Sequence, residues 1–281
     1  MATPEPLTAR SARVKAARRL TGRASRLSER LFLAEGPQAV REALRLPGCV
    51  VEVFATRDAA GRHGDLTRFA ADAGVEWHAA DRAAVAGLSD TRSPQGVVAV
   101  CRHVHVALDG VAWSQVRLVA VCADVRDPGN AGTVIRCADA TGADAVVLAG
   151  TSVDPYNGKA VRASAGSLFH LPVVTASSVE ETVATLRGNG LVILAADGAG
   201  AESLDNLDPA SLRRRTGWLF GNEAQGLPAD TTALADHVVR VPIYGRAESL
   251  NLATAAAVCL YRSAREHRRA AGDDTDTRSE R

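Results

Sequence analysis

Five short apolar runs recur in this 281-residue chain from residue 118 onward: Leu118–Ala123, Ala145–Ala149, Leu191–Ala196, Gly217–Phe220 and His237–Val241. Helix-patterned segments separate them, and Glu248–His267 reads as a long final helix. Runs this short and this continuous suit strands buried on both faces, the condition of a mostly parallel sheet layered between helices. A weaker alternation precedes them. Helices are expected over Gly36–Leu46, Gly64–Ala73 and Arg82–Leu88, and strands over Val50–Ala55, Val75–Ala79 and Val97–Cys101. The reading is an α/β protein of two domains, 31–105 and 117–267, joined by a linker at 106–116 and followed by a flexible polar tail at 268–281. No apolar run approaches the roughly 18–20 residues that a bilayer span needs, so no membrane partner is expected.

Charge is unevenly spread. Residues 1–30 hold eight basic side chains against two acids, while the other 251 residues hold 25 basic and 30 acidic groups. A basic arm of +6 on a body of −5 suits a polyanionic partner, whose released counterions supply affinity. A solvated N-terminal helix explains the same charges. The arm resembles a transit peptide in composition but runs straight into Leu31-Phe32-Leu33 without a cleavage region, and no apolar stretch follows it as in a secretory signal. The five cysteines, Cys49, Cys101, Cys122, Cys137 and Cys259, are odd in number, widely spaced and lack a C-x-x-C pair. A reducing, cytoplasmic setting is expected.

Several chemistries are excluded by missing motifs. The chain has no phosphate-binding G-x-x-x-x-G-K-[ST], no complete G-x-G-x-x-G and no G-x-S-x-G nucleophile elbow. Gly198-Ala199-Gly200 follows a strand but lacks the third glycine. His103 and His105 share one face of an extended segment without further ligands nearby in sequence, so no metal site is assigned.

Three polar segments remain, each following an apolar run. In Asp127-Pro128-Gly129-Asn130-Ala131-Gly132-Thr133-Val134-Ile135-Arg136, Pro-Gly reads as a turn and Asn130 as the N-cap of a helix. Ala131, Val134, Ile135 and Ala138 would share its buried face, with Arg136 projecting away as a phosphate ligand or a solvated cation. Gly221-Asn222-Glu223 ends a strand at the edge where open α/β sheets bind ligands. There Glu223 would cap a helix or hold an arginine. In Val241-Pro242-Ile243-Tyr244-Gly245-Arg246-Ala247-Glu248-Ser249-Leu250-Asn251, Ser249 or Glu248 caps the last helix and Asn251 falls in its first turn.

In order and spacing these segments resemble the three signature motifs of the SpoU/TrmH family of RNA ribose 2′-O-methyltransferases, within the SPOUT superfamily. Asp127 stands where the family usually has Asn, and Val241, Ile243 and Tyr244 are further departures; Lys159–Val173 also looks like family sequence. The resemblance covers about residues 117–262. Phe32-Leu33-Ala34-Glu35-Gly36 and the α/β units after it resemble, more weakly, the smaller RNA-binding domain of many members. The resemblance implies a C-terminal trefoil knot, binding of S-adenosyl-L-methionine, a homodimer and methylation of structured RNA. Ribosomal RNA, and 23S rRNA first, is the expected substrate. Transfer RNA is the enzymatic alternative, and a silent RNA-binding or assembly factor the non-enzymatic one. Carried over by motif position, Gly221, Val241, Ile243 and Leu250 would contact the cofactor, and Asn130, Arg136, Glu223, Ser249 and Asn251 would surround the reacting ribose. The family assigns the arginine as base. Guanidinium keeps its proton in ordinary surroundings, so gripping a phosphate and stabilising the incipient alkoxide is the role expected of Arg136.

Overall fold

The computed structural model describes residues 5–91 and 93–272. It falls into two compact units, and the chain passes between them more than once. One unit holds the described residues up to His105 with Pro128–Arg136 and Val153–His170; the other holds Val106–Asp127, Cys137–Ser152 and the described chain from Leu171 onward.

The first unit opens with α1 (Ala12–Arg19) and α2 (Arg23–Glu29). There follow β1 (Leu31–Glu35), α3 (Pro37–Arg45), β2 (Val50–Ala55), α4 (Arg57–Arg62), α5 (Gly64–Asp72), β3 (Glu76–Ala79), α6 (Arg82–Ala86) and β4 (Val97–Arg102). The sheet runs β1-β4-β2-β3; β4 is antiparallel to both neighbours, and β2 is parallel to β3. Helix starts follow local chemistry: Thr56 and Asp81 cap α4 and α6 by accepting from backbone N–H groups, and Pro37 sits in the first turn of α3.

The basic stretch is neither a free arm nor a solvated helix. Val14, Ala17 and Leu20 are buried with Leu33, Phe54, Val85, Leu88, Val98 and Val100. Arg26 is itself buried, its guanidinium donating to Asp154 Oδ2 at 2.8 and 3.0 Å and to the carbonyls of Leu20 and Thr21. Charge counting missed this because an apolar face at helical spacing runs between the arginines. His103 and His105 lie in the loop after β4, where they pack against Tyr156. His103 stacks on Tyr156 at 4.0 Å between ring centroids, and the Tyr156 hydroxyl accepts from the N–H groups of Val104 and His105. Burial pulls His103 down to about 4. Glu52, Glu76 and His78 meet closely enough to hold an ion, but Arg13 Nη1 lies among them at 3.0, 2.7 and 3.2 Å.

The second unit is built on β5 (Leu118–Ala123), after which α7 (Pro128–Thr141) runs through residues of both units to β6 (Ala145–Ala149). Helix α8 (Gly158–Ser164) belongs to the first unit. Then come β7 (Val173–Ala176), α9 (Val179–Gly188), β8 (Val192–Ala196), β9 (Glu202–Ser203), α10 (Pro209–Arg213), β10 (Thr216–Phe220), α11 (Ala229–Thr232), β11 (His237–Arg240) and α12 (Leu252–Ala270). Seven strands in the order β7-β6-β5-β10-β8-β11-β9 pair in parallel throughout. The parallel sheet therefore agrees with the apolar runs. One face packs Val119, Val121, Val147, Ile193 and Leu219 with Val183 and Leu186 of α9. On the other, the buried Trp218 donates from Nε1 to Ser263 Oγ of α12 at 2.9 Å.

Of the boundaries that differ from expectation, three bear on the polar segments and the tail. Helix α7 starts at Pro128, so Pro128 and Gly129 are helical and Asn130 is the third residue rather than the N-cap. Proline's fixed φ and missing N–H suit a first helical position as well as a turn. Helix α12 starts at Leu252, so neither Ser249 nor Glu248 caps it. Asn251 does, its side-chain oxygen accepting from Ala253 and Thr254. That helix also continues through Arg268–Ala270, residues read as tail; 273–281 lie outside the described residues.

Candidate active site

Open parallel sheets bind ligands beyond the carboxyl ends of their strands. A cavity of about 700 Å³ lies beyond β8, β10 and β11, walled by Ala196–Gly198, Phe220–Ala224 and Arg240–Ile243, and then by Gly245 and Ala247–Leu250. The volume suits a nucleoside-sized ligand.

Gly221 ends β10 where the chain folds tightly on itself. A Cβ there would lie 2.3 Å from the carbonyl carbon of Gly226, so no larger residue fits. Asn222 and Gly226 exchange backbone hydrogen bonds of 2.9 and 2.8 Å. Asn222 Nδ2 donates to the Asp124 carbonyl at 2.9 Å, and Glu223 accepts from the N–H groups of Arg126 (3.3 Å) and Asp127 (3.1 Å). Both side chains thus brace Asp124–Asp127, the segment leaving β5. Asp124 is left-handed (φ 55°) and accepts from the N–H and hydroxyl of Thr151, both at 2.7 Å. The buried Cys122 thiol at the end of β5 is pushed up to about 12, by burial and then by the Glu223 carboxylate, and is inert as a nucleophile.

The four expected cofactor residues, Gly221, Val241, Ile243 and Leu250, all line the cavity, as do Glu223 and Ser249. Asn251 does not line it, being turned to α12 as its cap. Asn130 and Arg136 lie on α7 within the first unit. Ala131, Val134, Ile135 and Ala138 are buried there and Arg136 is exposed, as the helical spacing requires. Sequence reading missed Asp197 and Gly198, which follow β8 into the cavity wall. The signal was Gly198-Ala199-Gly200, set aside for lacking a third glycine. Gly200 serves packing instead: a Cβ would meet the β11 backbone at 2.8 Å, and Arg240 Nη1 donates to the carbonyls of Gly200 and Ala201. The wall carries Asp197, Glu223 and Glu248 against Arg240, a net negative lining that fits a cation such as a sulfonium amino acid.

The same segments are found in known proteins. Residues 117–261 match the model of the SpoU rRNA Methylase family. This chain belongs to that family. Residues 11–99 match an MRM3-like substrate binding domain, so α1 and α2 fall within the match. Among relatives of this SpoU chain, the 23S rRNA (guanosine(2553)-2′-O)-methyltransferase RlmP of Bacillus subtilis is 34% identical over 90% of this chain and 96% of its own. The 23S rRNA (uridine(2479)-2′-O)-methyltransferase of Streptomyces viridochromogenes is 35% identical over 62% of this chain and 61% of its own. An AdoMet-bound rRNA methyltransferase from Sinorhizobium meliloti superposes with a TM-score of 0.80 at 31% identity, covering 93% of this chain and 97% of that one.

Proposed function

We propose that this SpoU protein transfers a methyl group from S-adenosyl-L-methionine to a ribose 2′-hydroxyl of 23S rRNA. The observation that carries the reading is the cavity beyond β8, β10 and β11, walled by the glycine, carboxylate and apolar residues of two signature segments and acidic toward a cationic ligand. Relatives whose names specify 23S rRNA 2′-O-methylation support the substrate. The bound cofactor supplies an electrophilic methyl on a sulfonium that becomes neutral as the methyl leaves. Gly221, Val241, Ile243 and Leu250 hold it in this reading, with Ser249 beside them. Arg136 grips a phosphate next to the acceptor ribose and stabilises the developing 2′-alkoxide, whose proton passes to solvent water as the oxygen takes the methyl. Asn130 positions the ribose. Glu223, whose two oxygens hold the N–H groups of Arg126 and Asp127, is a positioning residue rather than the base. Asn251 acts from the head of α12.

The division of labour we assign is RNA binding by residues 31–105 and methyl transfer by 117–267, with the chain around Gly221 and Asn251 threaded as a trefoil knot. A homodimer is part of the same reading. Leu250 is 37% exposed, and Val258 and Tyr261 on one face of α12 are 40% and 56% exposed, an apolar strip suited to a second copy. Such an enzyme would work in the cytoplasm, where its substrate is; among the described residues no helix is long and apolar enough to cross a membrane.

The test is transfer of labelled methyl from S-adenosyl-L-methionine to separated, unmodified 23S rRNA and tRNA, with Arg136→Ala alongside. Label in 23S rRNA as an alkali-resistant linkage, lost in the variant, is expected. Label in tRNA alone would replace the substrate. Cofactor binding without transfer to either RNA would favour a silent RNA-binding factor.

A further inference from the structure

Tyr244 has no part in the cofactor reading, yet its setting is unusual. The chain has only 11 aromatic residues, and among the described residues just two of them, Tyr244 at 86% and Tyr261 at 56%, are largely exposed. Tyr261 belongs to the apolar strip on α12. Tyr244 stands on the cavity rim between Ile243 and Gly245, which both line it. Its ring is bare, but its hydroxyl donates to the carboxylate of Asp205 in the segment between β9 and α10. A ring anchored at its tip with its faces uncovered has lost rotamer freedom without gaining burial, so it is arranged for something planar to cover it. Arg246, two residues on, is exposed as well.

A 2′-hydroxyl reaches a recessed site most readily when its nucleotide is splayed from its neighbours, and an unstacked base seeks an aromatic face. We propose that Tyr244 is a stacking platform for a base of the substrate RNA, at or next to the methylated nucleotide. This rests on the reading of the protein as an RNA 2′-O-methyltransferase. The ring, not the hydroxyl, makes the contact; Asp205 only aims it. Tyr244 is thus a substrate-binding residue that helps to select which nucleotide enters.

Steady-state methylation of in vitro transcribed 23S rRNA by wild type, Tyr244→Leu and Tyr244→Phe tests this, with S-adenosyl-L-methionine affinity measured by calorimetry without RNA. Tyr244→Leu is expected to raise KM for RNA on the order of tenfold to a hundredfold, the range for losing one stacked base. Its cofactor Kd stays within about twofold of wild type, and Tyr244→Phe keeps KM within about threefold, since it retains the ring and loses only the anchor. Three results would overturn the proposal: an unchanged KM in Tyr244→Leu; a parallel loss of cofactor affinity, which would make the loop a cofactor wall; or a Phe variant as impaired as Leu, which would give the role to the hydroxyl. A wild type that methylates no RNA would remove the functional reading and this proposal together. An active wild type matched by Tyr244→Leu would remove the proposal alone.

Discussion

Arg136 and Glu223 are both charged residues of the signature segments, yet their surroundings separate them. Arg136 projects from the polar side of α7, opposite four buried apolar residues, and its value lies in a planar fork. Arg136→Lys keeps the charge but not the fork, so methyl transfer should fall at least about tenfold with cofactor Kd unchanged. A lysine variant of near-full activity, measured under single turnover, would leave charge as the only requirement. Glu223 accepts two backbone hydrogen bonds, and a glutamine has one oxygen with which to do so. Glu223→Gln should lower kcat about tenfold without shifting the acidic limb of the pH–rate profile; a shifted limb would identify a proton-transfer role instead. Gly221 tolerates nothing larger because of the 2.3 Å approach to Gly226.

Elements are fixed by capping and by one buried ion pair. Asn251 caps α12, so Asn251→Ala should cost about 1 kcal/mol, read as a lower urea midpoint at constant slope. Asn251→Asp, which caps equally well, should recover stability; activity that recovers with it would leave Asn251 a purely structural role. The Arg26–Asp154 pair joins α2 to the segment before α8, with both side chains at most 10% exposed. Removing one partner strands a buried charge, so Arg26→Ala should cost about 3–5 kcal/mol. The double variant Arg26→Met with Asp154→Leu should cost clearly less, which urea denaturation of the pair would reveal. Gly132 is an element-level requirement too: a Cβ would lie 2.3 Å from the Ala160 carbonyl oxygen, where α7 meets α8.

For the molecule as a whole, acid should act through half-buried histidines. His103 is held down to about 4 chiefly by burial, and His105 and His267 are lowered for the same reason. A histidine depressed in the folded state favours folding fully above its unfolded value near 6.5. The unfolded chain gains the proton first, so stability drops as pH falls from about 6.5 toward 4. Denaturation midpoints at pH 7.5 and 5 should differ in that direction, and His103→Gln should reduce the difference. The proposed self-association is tested at this scale too. Sedimentation at micromolar concentration should show a dimer, and Val258→Asp should shift it to monomer; a monomeric wild type would contradict that assignment.

Local patterning made the α/β class, the strands β5, β6, β8, β10 and β11 and the three polar segments readable before any coordinates, because strands buried on both faces must be continuously apolar and loops must carry turn and capping residues. Gly221, Val241, Ile243 and Leu250 were named from motif positions of the family resemblance, and all four line the cavity. Helix starts were less legible: Pro128 and Asn251 each suit more than one position, and neighbouring backbone donors chose between them. Long-range matters belonged to the tertiary structure. It buried Arg26 on Asp154, 128 residues away, set Glu223 on the backbone before α7, brought Asp197 to the cavity and left Tyr244 bare above it. Those outcomes depend on which distant groups desolvate one another, and no local periodicity encodes that.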